Sequence, residues 1–251
     1  MNSFIGWIGG KKLLRKEILN RFPEEFGRYV EVFGGAGWVL FSKDRHAEIE
    51  VFNDFNSDLI NLYRCIKYHS EALQKELDFM LNSREIFEDF KNQYNTRGLT
   101  DIQRAARFFM LIKLSYGSSA TSYGCTKKNV NSMIEYLDKI KERLTNVVIE
   151  NRDFEDIIRI YDKKDALLYL DPPYYGTEKY YQAQFSESDH VRLKEELDKV
   201  KGKFILSYND CEYIRELYKD YNIEGTTRNH NLVGRYADKD NVYKEVIIRN
   251  Y

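Results

Sequence analysis

Apolar residues in KLLRKEILNR (residues 12–21) recur at helical spacings, with Leu13, Leu14, Ile18 and Leu19 able to share one face. Tyr29 to Phe33 reads as a short buried strand running into Gly34-Gly35-Ala36-Gly37, and a helix is expected from about Trp38 to Lys43. EIEVFND (48–54) predicts a second strand that ends at Asn53-Asp54. The segment NSDLINLYRCIKYH then opens a helix, with Asn56 or Ser57 as its cap and Leu59, Ile60, Leu62, Tyr63 and Ile66 on one face.

From about residue 68 to 145 the strand signals disappear. Helical patterns cover 71–81, 84–94, 101–114 and 131–143, interrupted by the Ser/Thr/Gly-rich stretch SYGSSATSYG (115–124). Afterwards alternation resumes, with strands at 146–150, 166–170, 203–207 and 243–249 and helices near 154–161, 187–200 and 210–219. Strands alternating with helices imply βαβ units and a mostly parallel sheet. The helical stretch reads as an inserted lobe. The last strand follows no clear helix and is expected to pair antiparallel at an edge.

Composition adds limits. The length fits one large domain or one domain carrying a sizeable insertion. A net charge of -1 gives no global signature of nucleic-acid binding, so any such surface must be local. Two windows lack Asp and Glu. One, 104–130, holds Arg104, Arg107, Lys113, Lys127 and Lys128; the other, 225–237, holds Arg228, His230 and Arg235. Basic faces of this kind can neutralise phosphates, though chance clustering in a lysine-rich chain is an equal reading. Cys65, Cys125 and Cys211 are far apart, and the four histidines form no ligand spacing, so neither a zinc site nor a disulfide framework is expected. The apolar run at the start is too short for a signal peptide and no segment is long enough to span a membrane, so a cytoplasmic protein is expected.

The chemistry concentrates at strand ends. YVEVFGGAGW (29–38) is a strand, a glycine turn and a helix start, suited to close approach of a cofactor. It lacks the dinucleotide fingerprint, because the third glycine position is Leu40, which argues against a nicotinamide oxidoreductase. Asp54, at the end of the following strand, stands where an acid takes ribose hydroxyls; capping the next helix is its alternative role. Asp171 ends the strand at 166–170 and is followed by Pro172, Pro173 and Tyr174, two of the chain's 3 prolines. An acid there can accept a hydrogen from an amino group, a proline stiffens the turn, and a tyrosine face can stack on a planar base. A proline-rich turn with an exposed acid is the bland reading.

Asp171-Pro172-Pro173-Tyr174 is similar to the DPPY motif of amino-methyltransferases that use S-adenosylmethionine. With FIGWIGGKKLL at the start, VEVFGGAG after it and YKEVIIRNY at the end, the chain resembles the Dam-type N6-adenine DNA methyltransferases along essentially its whole length. The middle lobe matches least.

That resemblance implies a Rossmann-like methyltransferase fold. A catalytic domain would span 1–67 and 146–251, and a small helical target-recognition lobe 68–145. It further implies that Trp7 and Lys11 hold the methionine end of S-adenosylmethionine beside Phe33, Gly34, Gly35 and Gly37. Asp54 would take the ribose, and Asp153 with Phe154 would meet the adenine edge; capping the helix at 154 is a compatible role for Asp153. Asp171, Pro172 and Tyr174 would be catalytic, with no metal. The implied partner is double-stranded DNA and no membrane, met as a monomer or a weak dimer on DNA, in a bacterium or its phage-infected cell. Ser118, Ser119, Thr121 and Ser122, flanked by Tyr116 and Tyr123, are candidate groove and intercalation contacts, Arg104, Arg107, Lys127 and Lys128 candidate phosphate contacts, and Arg228 and Arg235 further candidate DNA contacts. Relatives that recognise GATC carry a Lys before the motif's Trp and an Arg after the lobe's YG. Here position 6 is Gly6, and 115–124 holds no Arg, which argues against GATC. Three readings compete: the same chemistry on RNA, the same chemistry on a protein amide (where Asn usually replaces the motif's Asp), and a catalytically idle DNA-binding relative.

Overall fold

The computed structural model describes residues 1–125, 130–177, 185–229 and 242–251, leaving aside the side chains of 130, 228, 229, 242 and 243. In chain order its elements are α1 (Arg15–Leu19), β1 (Arg28–Glu31), β2 (Ile49–Asn53), α2 (Ser57–Asp78), α3 (Arg84–Asn92), α4 (Asp101–Leu114), α5 (Val130–Leu144), β3 (Val147–Glu150), α6 (Phe154–Tyr161), β4 (Ala166–Leu170), α7 (Glu187–Leu197), β5 (Lys203–Asn209), α8 (Glu212–Leu217), β6 (Asn222–Asn229) and β7 (Val242–Arg249). Seven strands form one sheet in the order β3-β2-β1-β4-β5-β7-β6. β1 pairs parallel with β4 and β4 with β5, while β7 runs antiparallel to both β5 and β6. This is the α/β class that the alternation predicts.

Two compact units divide the chain. One comprises Met1–Gly10, Gly34–Asp44 and Phe52–Asn151. Its centre is α2 packed by α4 and α5. α4 buries Ala105, Ala106, Phe108–Ile112 and Leu114 and leaves Arg104, Arg107 and Lys113 partly exposed. A capping box of Thr100 and Gln103 fixes its start.

The other unit comprises Lys11–Phe33, Arg45–Val51 and Arg152–Tyr251. Its core joins Val30, Leu168, Leu170, Leu206, Val246 and Ile248 on the strands with Phe154, Ile157 and Leu193 on α6 and α7. β4 is buried at all five positions, so it reads as a continuous apolar run rather than an alternation.

Several elements differ from the sequence expectation. The helix expected at 38–43 is one short 3₁₀ turn, Leu40–Ser42, and Lys43 is already extended. The two helices expected around 57–69 and 71–81 follow one another within α2, divided by a kink at the non-helical His69, and the second ends at Asp78 rather than 81. β7 is not an edge strand. β6 pairs along its outer side, and its sequence NIEGTTRN carries no apolar alternation that would have announced a strand.

Candidate active site

The candidate residues form two groups, one in each unit. In the first, the chain leaves β1 and turns through Gly34 to Gly37. Gly35 adopts φ +50 and Gly37 φ +65, a left-handed backbone that costs side-chain-bearing residues energy. A Cβ on Gly35 would lie 2.8 Å from Trp7 Cδ1, so the indole rests directly on the turn. The Gly35 amide donates to Asp54 Oδ2 at 2.8 Å, and the Asn56 amide to Asp54 Oδ1 at 2.8 Å. Asn56, not Asp54, caps α2, through a bond from the Leu59 amide. Burial holds the Asp54 carboxyl above the ordinary carboxylate range, against the pull of those two amides. Each of its oxygens keeps a second lone pair, an acceptor set that fits the two hydroxyls of a vicinal diol.

The second group lies at the carboxyl end of β4. Asp171 follows Leu170 directly, and its Oδ1 takes Lys11 Nζ at 2.6 Å and the Ser207 hydroxyl at 2.9 Å. Lys11 is 3% exposed, and its ammonium also lies 4.6 Å from the centroid of the Tyr174 ring. Burial raises the Asp171 carboxyl, Lys11 opposes that shift, and Glu245 adds to it. Pro172 and Pro173 are buried. The Tyr174 hydroxyl donates to Glu245 Oε2 at 2.6 Å, and the Tyr174 carbonyl accepts from Thr177 to close the turn. Sequence reasoning missed Ser207 and Glu245. Only their placement on neighbouring strands brings them to the motif.

In the same unit Phe33, Phe154 and Phe185 form a cluster of three rings with centroids 5.7 to 6.0 Å apart, a surface that fits a planar ring. Asp153 caps α6 by accepting from the Glu155 amide. Its carboxylate also takes a bidentate grip from Arg192, whose guanidinium lies 4.2 Å from the Phe154 ring centroid. Arg192 is a further residue that spacing alone did not indicate.

The DNA candidates are placed unevenly. Arg104 lies 3.6 Å from Asp58 and 3.7 Å from Asp101, so an acid-free sequence window has not given it an acid-free setting. Its partners come from α2 and from one turn earlier on α4. Arg107 sits over the Phe90 ring. Tyr116 is 65% exposed. Ser119 and Thr121 bond to each other through their hydroxyls. Ser118 and Ala120 take positive φ, and Ser118 packs against Gly6. Arg228 lies in β6; Lys127, Lys128 and Arg235 lie outside the described residues. Among the described residues no cluster of His, Cys, Asp and Glu is arranged to hold a metal, and no helix is long and apolar enough to cross a membrane.

Residues 7–231 match the profile of the D12 class N6 adenine-specific DNA methyltransferases. The type II methyltransferase M1.LlaDCHI of Lactococcus lactis subsp. cremoris is 30% identical, with 100% of this chain and 96% of the relative aligned. The type II methyltransferase M.CviBI of Paramecium bursaria Chlorella virus NC1A is 27% identical over the whole of both chains. A DNA adenine methylase of Salmonella typhi is 27% identical over 86% of this chain and 84% of its own.

Proposed function

Since the chain belongs to the D12 class N6 adenine-specific DNA methyltransferases, we propose that it methylates adenine N6 at a specific double-stranded sequence by direct in-line transfer to a flipped base. S-adenosylmethionine supplies the electrophilic methyl group when bound. Trp7, the turn from Phe33 to Gly37, Asp54, and Asp153 with Phe154 are the residues we assign to holding it. Lys11, which pairs with Asp171, is assigned to its methionine end.

Adenine N6 is a poor nucleophile because its lone pair is delocalised into the ring. Asp171 accepts one amino hydrogen and the Pro172 carbonyl the other, which favours a pyramidal nitrogen with a directed lone pair. Acceleration then comes from positioning and from acceptors already in place. Flipping costs about a few kcal/mol in unstacking, and the Tyr174 ring returns part of it. The observation that carries this reading is the partly buried Asp171 carboxylate, fixed at a strand end by Lys11 and Ser207 beside an anchored tyrosine. The helical segment 68–145 is the proposed recognition lobe, with Tyr116, Ser118, Ser119 and Thr121 as its base contacts.

The test is methyl transfer from radiolabelled S-adenosylmethionine to unmethylated DNA, to RNA and to protein, with wild type and Asp171→Ala side by side. Label in DNA adenine, lost in the variant while S-adenosylhomocysteine still binds, is the expected result. Label in RNA or protein alone, or undiminished turnover by the variant, overturns the assignment. Sequencing the modified adenines then gives the recognition sequence.

A further inference from the structure

The acid-proline-proline-tyrosine segment is gripped from the side by two strands whose residues the motif does not contain. On β5, Ser207 and Asn209 are two positions apart and so project to the same face of the sheet. Ser207 donates to Asp171 Oδ1 at 2.9 Å. Asn209 holds the Tyr175 backbone twice: its Oδ1 accepts from the Tyr175 amide at 3.1 Å and its Nδ2 donates to the Tyr175 carbonyl at 3.2 Å. On β7, Glu245 stands directly opposite Asn209 in the antiparallel register, and opposed residues share a face. Glu245 is 1% exposed and accepts from the Tyr174 hydroxyl at 2.6 Å. A carboxylate this deep is costly unless it is bonded, and a charge-assisted bond to a phenol is among the stronger ones.

We propose that Ser207, Asn209 and Glu245 form a clamp that positions the motif for methyl transfer, with Glu245 acting through the Tyr174 hydroxyl. This rests on the methyl-transfer reading above. Glu245 is a positioning residue: it holds the stacking ring through the Tyr174 hydroxyl, and its charge also bears on Asp171. The clamp spans both ends of the motif: Asp171 at one end through Ser207, and the two tyrosines at the other through Glu245 and Asn209. A swing of the tyrosine ring would misplace the stacking face while leaving the acceptors in place, so the clamp governs turnover more than cofactor binding.

The experiment compares single-turnover methylation of unmethylated DNA by wild type, Glu245→Gln, Tyr174→Phe and the double variant. The rate is expected to fall roughly tenfold to a hundredfold in each single variant, as for loss of a hydrogen bond to a charged group. The double variant is expected to be no slower than Tyr174→Phe, with the cofactor KM unchanged throughout. Asp171 is faced by Lys11, Ser207, Tyr169 and Glu245. Removing the Glu245 charge therefore moves the acid limb of the rate to lower pH, and Tyr174→Phe does not. A merely structural role would leave that limb in place. Losses that add in the double variant, or a Glu245→Gln enzyme with wild-type rate and limb, overturn the clamp alone. A wild-type protein that methylates no DNA overturns the underlying reading and the clamp with it. If Glu245→Gln does not fold, Glu245→Asp is read against Tyr174→Phe by the same additivity criterion, because it keeps the charge but falls short of the hydroxyl.

Discussion

Lys11 Nζ lies 2.6 Å from Asp171 Oδ1, joining the glycine-lysine element near the start of the chain to the acid of the motif. Removing one partner leaves the other charge buried and uncompensated. Asp171→Ala should lower stability by about 2–3 kcal/mol, below the ~3–5 kcal/mol of a fully enclosed pair because the Asp171 side chain keeps 16% exposure. Lys11→Met should cost a similar amount, and the double variant less than the sum. Urea unfolding midpoints of the three proteins test this; strict additivity would mean the pair contributes nothing.

Acid should remove activity before it removes the fold. Burial raises the Asp171 carboxyl, so the ionised acceptor is lost at a pH above the ~3.9 of a solvent-exposed aspartate. For stability, a carboxyl with a raised folded pKa binds its proton more readily in the folded chain. Its ionisation costs stability at neutral pH, and that cost is relieved as pH falls through the folded value. Glu196 has the opposite sign: Arg159 holds its carboxyl low, so its contribution is present above the unfolded value and disappears as pH falls through the lower, folded one. A pH–rate profile set beside unfolding midpoints at each pH decides the matter. An activity limb that coincides with unfolding would remove Asp171 titration as its cause.

Gly35→Ala imposes both a left-handed conformation on a side chain and a 2.8 Å approach to Trp7. The conformational part alone is worth ~1–2 kcal/mol. We expect a lower melting temperature and weaker S-adenosylhomocysteine binding by titration calorimetry. Trp7→Ala in the same chain should relieve the clash but not the backbone strain. Full recovery of stability in that double variant would contradict this account.

Gly6 and Ser118 are coupled by space. A Cβ on Gly6 would lie 2.1 Å from Ser118 Oγ and 3.0 Å from its Cβ, so Gly6→Ala must push the Ser118 side chain aside. The expected loss is about 1 kcal/mol. Ser118→Gly removes the obstruction and suits φ +58, so it should restore stability to Gly6→Ala. Thermal melts of the three variants, with sequencing of their methylated adenines, would reveal whether the pair also tunes site choice. Equal melting temperatures for Gly6→Ala with and without Ser118→Gly would sink the coupling.

Where local pattern and burial agree, the elements were legible in advance. β4 and α6 coincide with the spans read from sequence, because one is an unbroken apolar run and the other carries a capping acid before an amphipathic turn. β6 was not legible. Its polar residues become a strand only because β7 supplies a ladder of backbone partners. The site divides in the same way. Asp171, Tyr174, the glycine turn and Asp54 announce themselves, since a stiff turn, left-handed glycines and an acid at a strand end require particular residue types in a fixed local order. Ser207, Glu245 and Arg192 do not, because a serine in a strand or an arginine on a helix is common anywhere. The sequence by itself determined the class of fold, the family and the motif we propose to react. Tertiary structure alone decided that Lys11 meets Asp171, that Arg104 meets Asp58, and that Glu245 holds Tyr174. Each of these depends on which strands and helices become neighbours, and the energy of a buried charge is set by that neighbourhood rather than by its place in the chain.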